Sequence, residues 1–463
     1  MTAPLLLLVE SNTTGTGRQF AARARDLGVV PVLLSADPAR YPYAAEDGLR
    51  TVVVDTADDD ALWFAVTGLA AVAPVAGVLS SSEYYVATAA ALAARLGLPG
   101  PSADAVRAVR DKAAQRRTLA EAGVPVPRFS VAGDVAEAIA AAQWLGGPVV
   151  VKPVQGSGSL GVRLCRDRDE VADHAKGLLA ATVNERGLRT PGVVLVEQYL
   201  TGREFSVEVF GEEAVVTVAK HVGAPPVFVE TGHDVPAVLP AAQAAALVDT
   251  AVRAVEALGL GWGAAHVELR LDGDVARVIE VNPRLAGGMI PELVRRARGV
   301  DLVGAQVRAA LGEPVDLAGT PDAAGAASIR FLTAGADSVL ADVAAAEAAA
   351  RAVPGVVDTA LYRPAGTAVA PAEDFRGRVG HVIAAGTAPE ASAEAAETAL
   401  TRGLATALTP ATPATATPAT ATPATATPAT ATSATAPTAA TVTPETVSAP
   451  VTARASVREV VPA

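Results

Sequence analysis

A glycine-rich loop between two apolar strands constrains this chain more than any other feature. The β-branched run Val149–Val151 leads into Lys152, glycines follow at 156, 158 and 161, and a strand resumes at Val162. Glycine lets backbone N–H groups approach an anion closely, and a lysine ammonium suits phosphate. Because the loop leads into a strand and lacks Gly-x-x-x-x-Gly-Lys-Ser/Thr, it is not a P-loop. The segment predicts a phosphate-binding hairpin, with a plain connecting turn as the alternative.

Composition narrows the class of protein. The 463 residues are enough for two or three domains with a large core. A net charge of −12 argues against a nucleic-acid-binding surface. Because Cys165 is the only cysteine, a disulfide within the chain is excluded, which fits a reducing cytoplasm. The N-terminal apolar run Leu5–Val9 is too short to cross a membrane, so we expect a soluble cytoplasmic protein with no membrane partner.

Residues 1–105 alternate short apolar runs with helical patterns. This alternation predicts a parallel sheet covered by helices, as in a Rossmann-like domain. The predicted strands and helices are Leu5–Val9, Thr16–Asp26, Val29–Leu34, Thr51–Val54, Val75–Leu79 and Glu83–Leu96. The first turn, Thr13–Phe20, partly matches a dinucleotide-binding fingerprint, but Phe20 replaces the third glycine. Nicotinamide binding is therefore an alternative that rests on an incomplete motif.

The rest of the chain predicts an α+β module, a small α+β appendage and a tail. Helical patterns cover 107–122, 132–145, 170–184, 241–258 and 291–311, and strands cover 193–197, two runs around Gly211, 264–271 and 275–282. An Ala-Thr-Pro-Ala-Thr repeat begins near Thr409; it cannot form a helix or bury a core, which indicates disorder. The predicted domains are 1–105, 106–190, 191–325 and 326–408, followed by the tail 409–463.

Polar side chains line the predicted hairpin around Asp272-Gly273-Asp274. Side chains alternate between the two faces of a strand, so the turn decides whether Glu268 shares a face with Glu280 and Asn282. A two-residue loop pairs 271 with 274 and separates them, whereas a three-residue loop pairs 271 with 275 and brings them together. We expect the three-residue loop, which would gather oxygen ligands suited to Mg²⁺. A solvated polar edge is the alternative.

Five segments together resemble the ATP-grasp superfamily, and within it the carboxylate–amine ligases that include the bacilysin-type L-amino acid ligases. They occur in the superfamily's order within residues 1–400: RDKAAQR at 110–116, VKP with its glycine loop at 151–161, VEQYLTGREFS at 196–206, HVE at 266–268 and EVNPRLAGG at 280–288. The resemblance implies an α/β fold with a Rossmann-like domain before a two-lobed α+β ATP-grasp module. It also implies ATP and Mg²⁺ as cofactors, with Mn²⁺ as an alternative ion.

The resemblance implies a role for each matching residue. The ATP phosphates would be held by two lysines and covered by the glycine loop: Lys112, Lys152, Gln155, Gly156, Ser157, Gly158, Ser159 and Gly161. The adenine hinge and the ribose acceptor would be Glu197, Gln198, Tyr199, Leu200 and Glu204. Glu268, Glu280 and Asn282 would bind the metal. Arg284 would be the catalytic cation that faces the γ-phosphate and an acyl phosphate.

A further segment, GAPPVFVETGHDVP at 223–236, is similar to the acceptor-side segment of the amino acid ligases. In that setting Glu230 would hold a substrate ammonium, and His233 would be a catalytic residue that stabilises an oxyanion. Glu83 follows the fourth predicted strand, at the edge where open α/β sheets place ligands. Gly287 and Gly288 are further candidates for substrate contacts.

The resemblance predicts a reaction in which ATP activates a carboxylate as an acyl phosphate and an amine captures it. The products would be an amide, ADP and phosphate, and the substrates an amino acid or a related small molecule. A homodimer is compatible with this expectation. Three alternatives stay open: another ATP-grasp chemistry of the purine-pathway or carboxylase type, a non-enzymatic nucleotide-binding protein, and a nicotinamide oxidoreductase.

Overall fold

A computed structural model gives the fold of residues 3–12 and 16–411. The predicted disordered tail from 412 onward and Thr13–Gly15 of the partial fingerprint lie outside these described residues. The described part is a mixed α/β structure in which one parallel sheet comes first and antiparallel sheets follow, as the sequence predicts. No helix in this part is long and apolar enough to cross a bilayer.

The predicted N-terminal parallel sheet is confirmed. Its elements are β1 Leu5–Val9, α1 Thr16–Asp26, β2 Val30–Ser35, a 3₁₀ turn Pro38–Arg40, α2 Pro42–Glu46, β3 Arg50–Val53, α3 Asp59–Ala70, β4 Val75–Leu79 and α4 Val86–Arg95. The strand order is β3-β2-β1-β4, with every neighbouring pair parallel. All of β1 is buried, as expected for a strand with apolar neighbours on both faces. Because α4 begins at Val86, Glu83 lies in the turn after β4.

A small antiparallel sheet carries the glycine loop. The elements are α5 Ala103–Val109, α6 Lys112–Glu121, β5 Phe129–Ala132, α7 Val135–Leu145, β6 Val149–Pro153, β7 Arg163–Cys165, α8 Arg168–Ala180 and β8 Val194–Gln198. The order is β5-β8-β6-β7, so β8 lies in this sheet although the predicted boundary at 190 separates it. The helix expected over 107–122 is two helices, because the Asp111 carboxylate caps α6. This break places Lys112 in the first turn of α6.

A larger sheet follows. Its elements are β9 Glu204–Phe210, β10 Glu213–Val222, β11 Glu230–Val235, α9 Ala241–Ala257, β12 Ala264–Asp272, β13 Val275–Asn282, α10 Ile290–Arg298 and α11 Leu302–Ala310. One face of β9, β12 and β13 packs with α9 in a cluster that includes Phe205, Val267 and Leu247. The single helix expected over 291–311 is interrupted, because Gly299 ends α10 and the Asp301 carboxylate caps α11.

The C-terminal region extends this same sheet. Its elements are β14 Ala326–Thr333, β15 Ser338–Leu340, α12 Val343–Arg351, β16 Val356–Leu361, β17 Ala368–Val369, a 3₁₀ turn Phe375–Gly377, β18 Arg378–Gly386, α13 Pro389–Arg402, a 3₁₀ turn Leu404–Ala407 and β19 Leu408–Pro410. The eight-stranded order is β13-β12-β9-β10-β11-β14-β18-β16, and β17-β15-β19 form a separate small sheet. The region predicted as an appendage therefore shares its sheet with the preceding module, and β19 crosses the boundary predicted at 408. The domain division stays a prediction.

The hairpin that carries Glu268 and Glu280 has neither of the two expected turns. Asp272 pairs with Val275, so the turn is Gly273–Asp274. A bulge then leaves Ile279 unpaired, and Glu268 comes directly opposite Glu280. The expected three-residue loop is wrong, but the expected shared face is confirmed. The two-residue turn alone would place Glu268 and Glu280 on opposite faces of the sheet, and the extra residue of the bulge returns them to the same face.

Candidate active site

A cleft open to solvent, about 830 Å³ in volume, lies between the small sheet and the large sheet. It is lined by most of the residues predicted to bind ATP and metal: Lys112, Lys152, Ser157, Gly158, Ser159, Glu197, Gln198, Tyr199, Leu200, Glu204, Glu268, Glu280, Asn282 and Arg284. Glu230 of the substrate set also lines it. The other predicted residues are absent from its described lining: Gln155, Gly156, Gly161, Glu83, His233, Gly287 and Gly288.

The wall beside β8 combines apolar side chains with one free backbone donor. Val150 and Ile279 face this part of the cleft. The backbone N–H of Gln198 donates to Arg128 O at 2.9 Å, and that of Tyr199 to Pro148 O at 3.4 Å. The N–H of Leu200 has no acceptor in the described part of the chain. An apolar wall with one free N–H suits a planar heteroaromatic ring better than a charged group.

The side chain of Glu197, which was predicted to belong to the adenine hinge, forms ion pairs with two buried cations instead. Its Oε1 accepts from Arg116 Nε at 2.6 Å, and its Oε2 pairs with the Lys152 ammonium. Burial alone raises the pKa of Glu197, but the charges of Arg116 and Lys152 outweigh it and lower that pKa. Burial also lowers the pKa of Lys152. Glu197 therefore fixes the position of Lys152 at the floor of the cleft.

The carboxylates that β12 and β13 bring face to face each contact a cation through Oε1. Glu280 Oε1 lies 2.9 Å from Lys112 Nζ, and Glu268 Oε1 lies 3.1 Å from Lys220 Nζ. Lys112 Nζ also donates to Gly156 O at 3.0 Å, which links the metal candidates to the start of the glycine loop. Glu280 is therefore connected through Lys112 to the backbone of the glycine loop.

The donor set fits a hard divalent cation. No three His, Cys, Asp or Glu side chains converge as metal ligands within residues 3–12 and 16–411, so the third donor would be an amide oxygen. One end of the Asn282 amide faces Glu280 Oε1 at 3.1 Å and Glu83 Oε1 at 3.3 Å. In one orientation of the amide its nitrogen donates to both carboxylates, and in the opposite orientation its oxygen faces them, as binding a shared cation would require. Two carboxylates and an amide match the ligands that Mg²⁺ or Mn²⁺ accepts.

Lys220 of β10 lies at the centre of three carboxylates and was absent from the sequence prediction. Its ammonium is 2.8 Å from Glu230 Oε1 and 3.1 Å from both Glu204 Oε1 and Glu268 Oε1. Burial alone lowers the pKa of Lys220, but these carboxylates outweigh it and raise that pKa well above its ordinary value. Arg270 Nη2 provides Glu204 with a second cation at 2.7 Å. Lys220 therefore joins the predicted ribose, substrate and metal carboxylates.

Arg284 lies at the edge of the cleft, paired with Glu83. Its Nη2 lies 2.6 Å from Glu83 Oε2, and the same oxygen accepts from Ser157 Oγ at 2.7 Å. Burial alone raises the pKa of Glu83, but Arg284, Arg110 and Lys112 outweigh it and lower that pKa to about 2. Glu83 therefore lies behind Arg284 and touches the glycine loop, although it does not line the cleft.

His233 is a buried strand residue and not part of a loop. It belongs to β11, between β10 and β14, and its side chain is 1% exposed. Neither ring nitrogen has a hydrogen-bond partner in the described structure, and the nearest carboxylate oxygen, Glu230 Oε2, is 3.9 Å from Nε2. Burial lowers the pKa of His233 to about 3, so the ring is neutral at pH 7. A Cβ on Gly288 would lie 2.6 Å from Nε2, so glycine makes room for the ring.

Glu230 is already bound by two cations. Besides Lys220, it contacts Arg378 of β18, whose Nη2 lies 2.5 Å from Oε2 and whose Nε donates to Glu230 O at 3.1 Å. Arg378 also stacks over Phe331 with 4.0 Å from Cζ to the ring centroid. A substrate ammonium at Glu230 would therefore use the lone pairs that Lys220 and Arg378 leave free.

The cations that sequence reasoning missed come from strand partners. Lys220 pairs with Glu204 across the β9–β10 hairpin, and Arg270 pairs with Glu204 from the other side. A hairpin prediction around Gly211 could have found the first pair. Arg378 lies 148 residues from Glu230 in the chain, so no local pattern indicates that contact.

Family models and curated relatives agree with this architecture. Residues 21–100 match the ATP-grasp N-terminal domain, 145–292 the ATP-grasp domain, and 330–402 the L-amino acid ligase C-terminal domain 2. Protein y4rH of Sinorhizobium fredii is 39% identical over 379 residues, which is 82% of this chain and 78% of y4rH. Carnosine synthase 1 of Gallus gallus is 34% identical over 52% of this chain, but this spans 28% of that relative. Alanine–anticapsin ligase of Bacillus amyloliquefaciens is 29% identical over 49% of this chain and 52% of its own.

A solved structure has the same fold at low sequence identity. The L-amino acid ligase from Bacillus licheniformis superposes with a TM-score of 0.70 at 22% identity, and covers 88% of this chain and 98% of that one. The ADP complex of purK, an N5-carboxyaminoimidazole ribonucleotide synthetase, superposes with a TM-score of 0.65 at 16% identity, over 86% and 97% of the two chains. From the sheet order, the cleft and these matches, the chain belongs to the ATP-grasp family of carboxylate–amine ligases.

Proposed function

We propose that this protein uses ATP to join the carboxylate of one amino acid or related metabolite to the amine of another. The observation that carries the proposal is the cleft in which Glu268 lies opposite Glu280, and which is also lined by Lys112, Lys152 and residues of the glycine loop. The match of residues 330–402 to the L-amino acid ligase C-terminal domain 2 supports amino acids as the substrate class. The likeness to alanine–anticapsin ligase supports it as well.

In this proposal ATP lies with its base against β8 and its phosphates beneath the glycine loop. Val150 and Ile279 pack against the base, and the free N–H of Leu200 binds its edge. Glu204 faces the ribose. Lys112 and Lys152 neutralise phosphate charge, and Lys152 keeps its position because Glu197 holds it.

A divalent cation held by Glu268, Glu280 and Asn282 would neutralise phosphate charge during transfer. Arg284 faces the carboxylate that attacks the γ-phosphate, and Glu83 orients the guanidinium toward the cleft. Burial alone raises the pKa of Glu268, but Lys220 and His266 outweigh burial and lower that pKa. Glu268 is therefore anionic. The acyl phosphate that forms has a carbonyl carbon open to an amine.

The acceptor side of the cleft lies around Glu230, and the buried His233 lies next to Glu230 with its Nε2 3.9 Å from Glu230 Oε2. Glu230 is anionic, since Lys220 and Arg378 outweigh the effect of burial and hold its pKa well below the ordinary range. An anionic Glu230 can bind an ammonium before the amine loses its proton. The neutral His233 ring carries one N–H, and a buried donor without a partner gains a hydrogen bond from an oxyanion that develops near it.

A phosphate-release screen over pairs of proteinogenic L-amino acids tests this proposal. We expect ADP and phosphate to form only with ATP, Mg²⁺ and a productive pair, and mass spectrometry of those reactions to show an amide. Hydroxylamine in place of the amine should give a hydroxamate. Nucleotide binding without turnover for any acid would contradict the proposal, and turnover that requires bicarbonate would indicate a carboxylase-type chemistry.

A further inference from the structure

The tip of the glycine loop rests on an aromatic ring from the C-terminal region. A Cβ built on Gly158 would lie 2.8 Å from Cε1 and 3.1 Å from Cγ of Phe375, and Gly158 has a φ of +66°. A larger residue at 158 would therefore be strained and would displace the ring. The loop backbone passes the ring in van der Waals contact, with glycine required at that point.

Phe375 is held in place by the residues around it. It begins a 3₁₀ turn over Phe375–Gly377, which is capped by the Asp374 carboxylate through Arg376 N at 2.8 Å. The side chain of Arg376 also binds that carboxylate, with 2.9 Å between Nε and Oδ1. Arg378, the first residue of β18, follows directly and binds Glu230. One short segment therefore contacts both the glycine loop and the acceptor side of the cleft.

The contacts of the neighbouring loop residues are polar and come from other elements. Ser157 Oγ donates to Glu83 Oε2 at 2.7 Å, and Ser159 Oγ donates to the Phe228 carbonyl at 3.0 Å. Water can replace both bonds when the loop lifts away, so they favour the closed position only weakly. Water cannot replace the contact with the Phe375 ring in the same way, because exposing apolar surface costs free energy.

We propose that Phe375 is a positioning residue that holds the glycine loop closed over the ATP site, so that an amine and not water captures the acyl phosphate. This inference rests on the proposed function. In the coupled step the amine nitrogen attacks the acyl carbon, the bond from that carbon to the phosphate oxygen breaks, and an amide, phosphate and a proton leave. In the uncoupled step water attacks the same carbon, and the free acid, phosphate and a proton are released.

Hydrogen exchange of residues 155–161 tests the contact directly, with Mg²⁺ and the non-hydrolysable analogue AMP-PNP as the probe. We expect AMP-PNP to slow exchange of this loop in the wild type. With the analogue bound, Phe375→Ala should raise the exchange rate about tenfold, because an aromatic contact is lost. Phe375→Leu, which keeps an apolar side chain, should recover part of the protection. Phe64→Ala is the matched control, because Phe64 is 80% exposed on α3 and far from the loop in sequence.

Coupling is the second measurement. With hydroxylamine and a mixture of proteinogenic L-amino acids, the ratio of captured acyl groups, hydroxamate plus amide, to ADP should fall about tenfold in Phe375→Ala while ADP still forms. Gly158→Ala should lower the same ratio. In the double variant Gly158→Ala with Phe375→Ala, the ratio should fall by less than the product of the two single effects, because the clash between the new Cβ and the Phe375 ring is gone.

The inference would be overturned if Phe375→Ala had the same loop protection and the same ratio as the wild type. It would also be overturned if the loss in the double variant equalled the product of the losses in the two single variants. If ADP and hydroxamate fell together, Phe375 would have only a structural role. Failure of the proposed function is distinguishable, because the wild type itself would then form neither ADP nor hydroxamate, whereas the exchange experiment needs no substrate acid.

Discussion

Lys220→Met removes the one ammonium shared by three carboxylates while keeping the length and apolar stem of the side chain. Lys220 Nζ lies within 2.8–3.1 Å of oxygens from Glu204, Glu230 and Glu268, and its side chain is 1% exposed. Methionine leaves the three carboxylates buried with one fewer positive charge among them. The variant therefore isolates the charge of Lys220 from its packing.

The expected loss can be estimated from the partners that remain. Removing one partner of a buried ionic network costs about 3–5 kcal/mol. Glu204 keeps Arg270 at 2.7 Å, Glu230 keeps Arg378 at 2.5 Å, and Glu268 keeps His266 at 3.0 Å. Because each carboxylate retains a cation, we expect the lower end of the range, about 3 kcal/mol of unfolding free energy at pH 7.

The pH dependence of this loss has a definite sign. The pKa of Glu230 and that of Glu268 are held below the ordinary value in the folded protein. Such groups contribute stability above the unfolded pKa, near 4, that is lost as pH falls toward the folded value. Without the Lys220 charge the folded-state pKa of Glu230 and that of Glu268 should rise toward the ordinary value. The loss in Lys220→Met should therefore be largest at pH 7 and shrink below about pH 4, where these carboxylates of the variant take up protons while those of the wild type stay charged.

Urea titrations of the wild type, Lys220→Met and Lys176→Met at pH 7 and pH 3 measure this effect. Lys176→Met is the matched control, because it removes the same charge from an exposed position on α8. A loss below about 1 kcal/mol at pH 7, or a loss equal at both pH values, would refute the reasoning, since it would show that the three carboxylates do not depend on Lys220.

Three further predictions concern the predicted metal ligands, two of the buried histidines and the tail. Glu280→Gln should lower ADP formation about a hundredfold or more at ordinary Mg²⁺ while the circular dichroism spectrum is unchanged; retained activity would remove Glu280 from the metal set. In ¹H–¹⁵N spectra His233, with a pKa of about 3, should stay neutral from pH 5 to 8. The carboxylates beside His266 outweigh burial and raise its pKa to about 9, so His266 should stay protonated over most of the same range. A titration midpoint between pH 6 and 7 for either ring would contradict these assignments. Truncation after Ala411, where the compact unit ends, should leave turnover and Tm unchanged; a clear loss of either would give residues 412–463 a role in the body of the protein.

The sequence was most informative where a local pattern controls structure. Strand–helix alternation predicts the N-terminal sheet, because a parallel sheet needs a crossover between strands. Alternation along β12 and β13 could not by itself decide whether Glu268 and Glu280 share a face, because that depends on how the two strands pair. The expected three-residue loop is not the one formed, and the bulge at Ile279, which no turn signal indicates, brings the two side chains to one face.

Long-range pairing explains what the sequence alone could not reveal. His233 is buried because β14 adds to the sheet beside β11, a pairing that no local pattern around His233 indicates. Arg378 contacts Glu230 from β18, and Phe375 reaches the glycine loop from the same segment. These contacts depend on strand order, which composition and periodicity do not determine. The segments that the chain shares with its family predicted Lys112, Lys152 and Arg284 of the cleft, but not Lys220, Arg270 or Arg378, which pair with its carboxylates.

Oxygen-isotope transfer tests the central claim most directly. With an amino acid labelled by ¹⁸O in its carboxylate, an acyl phosphate must leave one carboxylate oxygen on phosphorus when the amine breaks the carbon–oxygen bond. We predict one ¹⁸O atom in the released phosphate for each amide formed, with ADP as the nucleotide product. Label found in AMP, with pyrophosphate released, would show an adenylate and contradict the account.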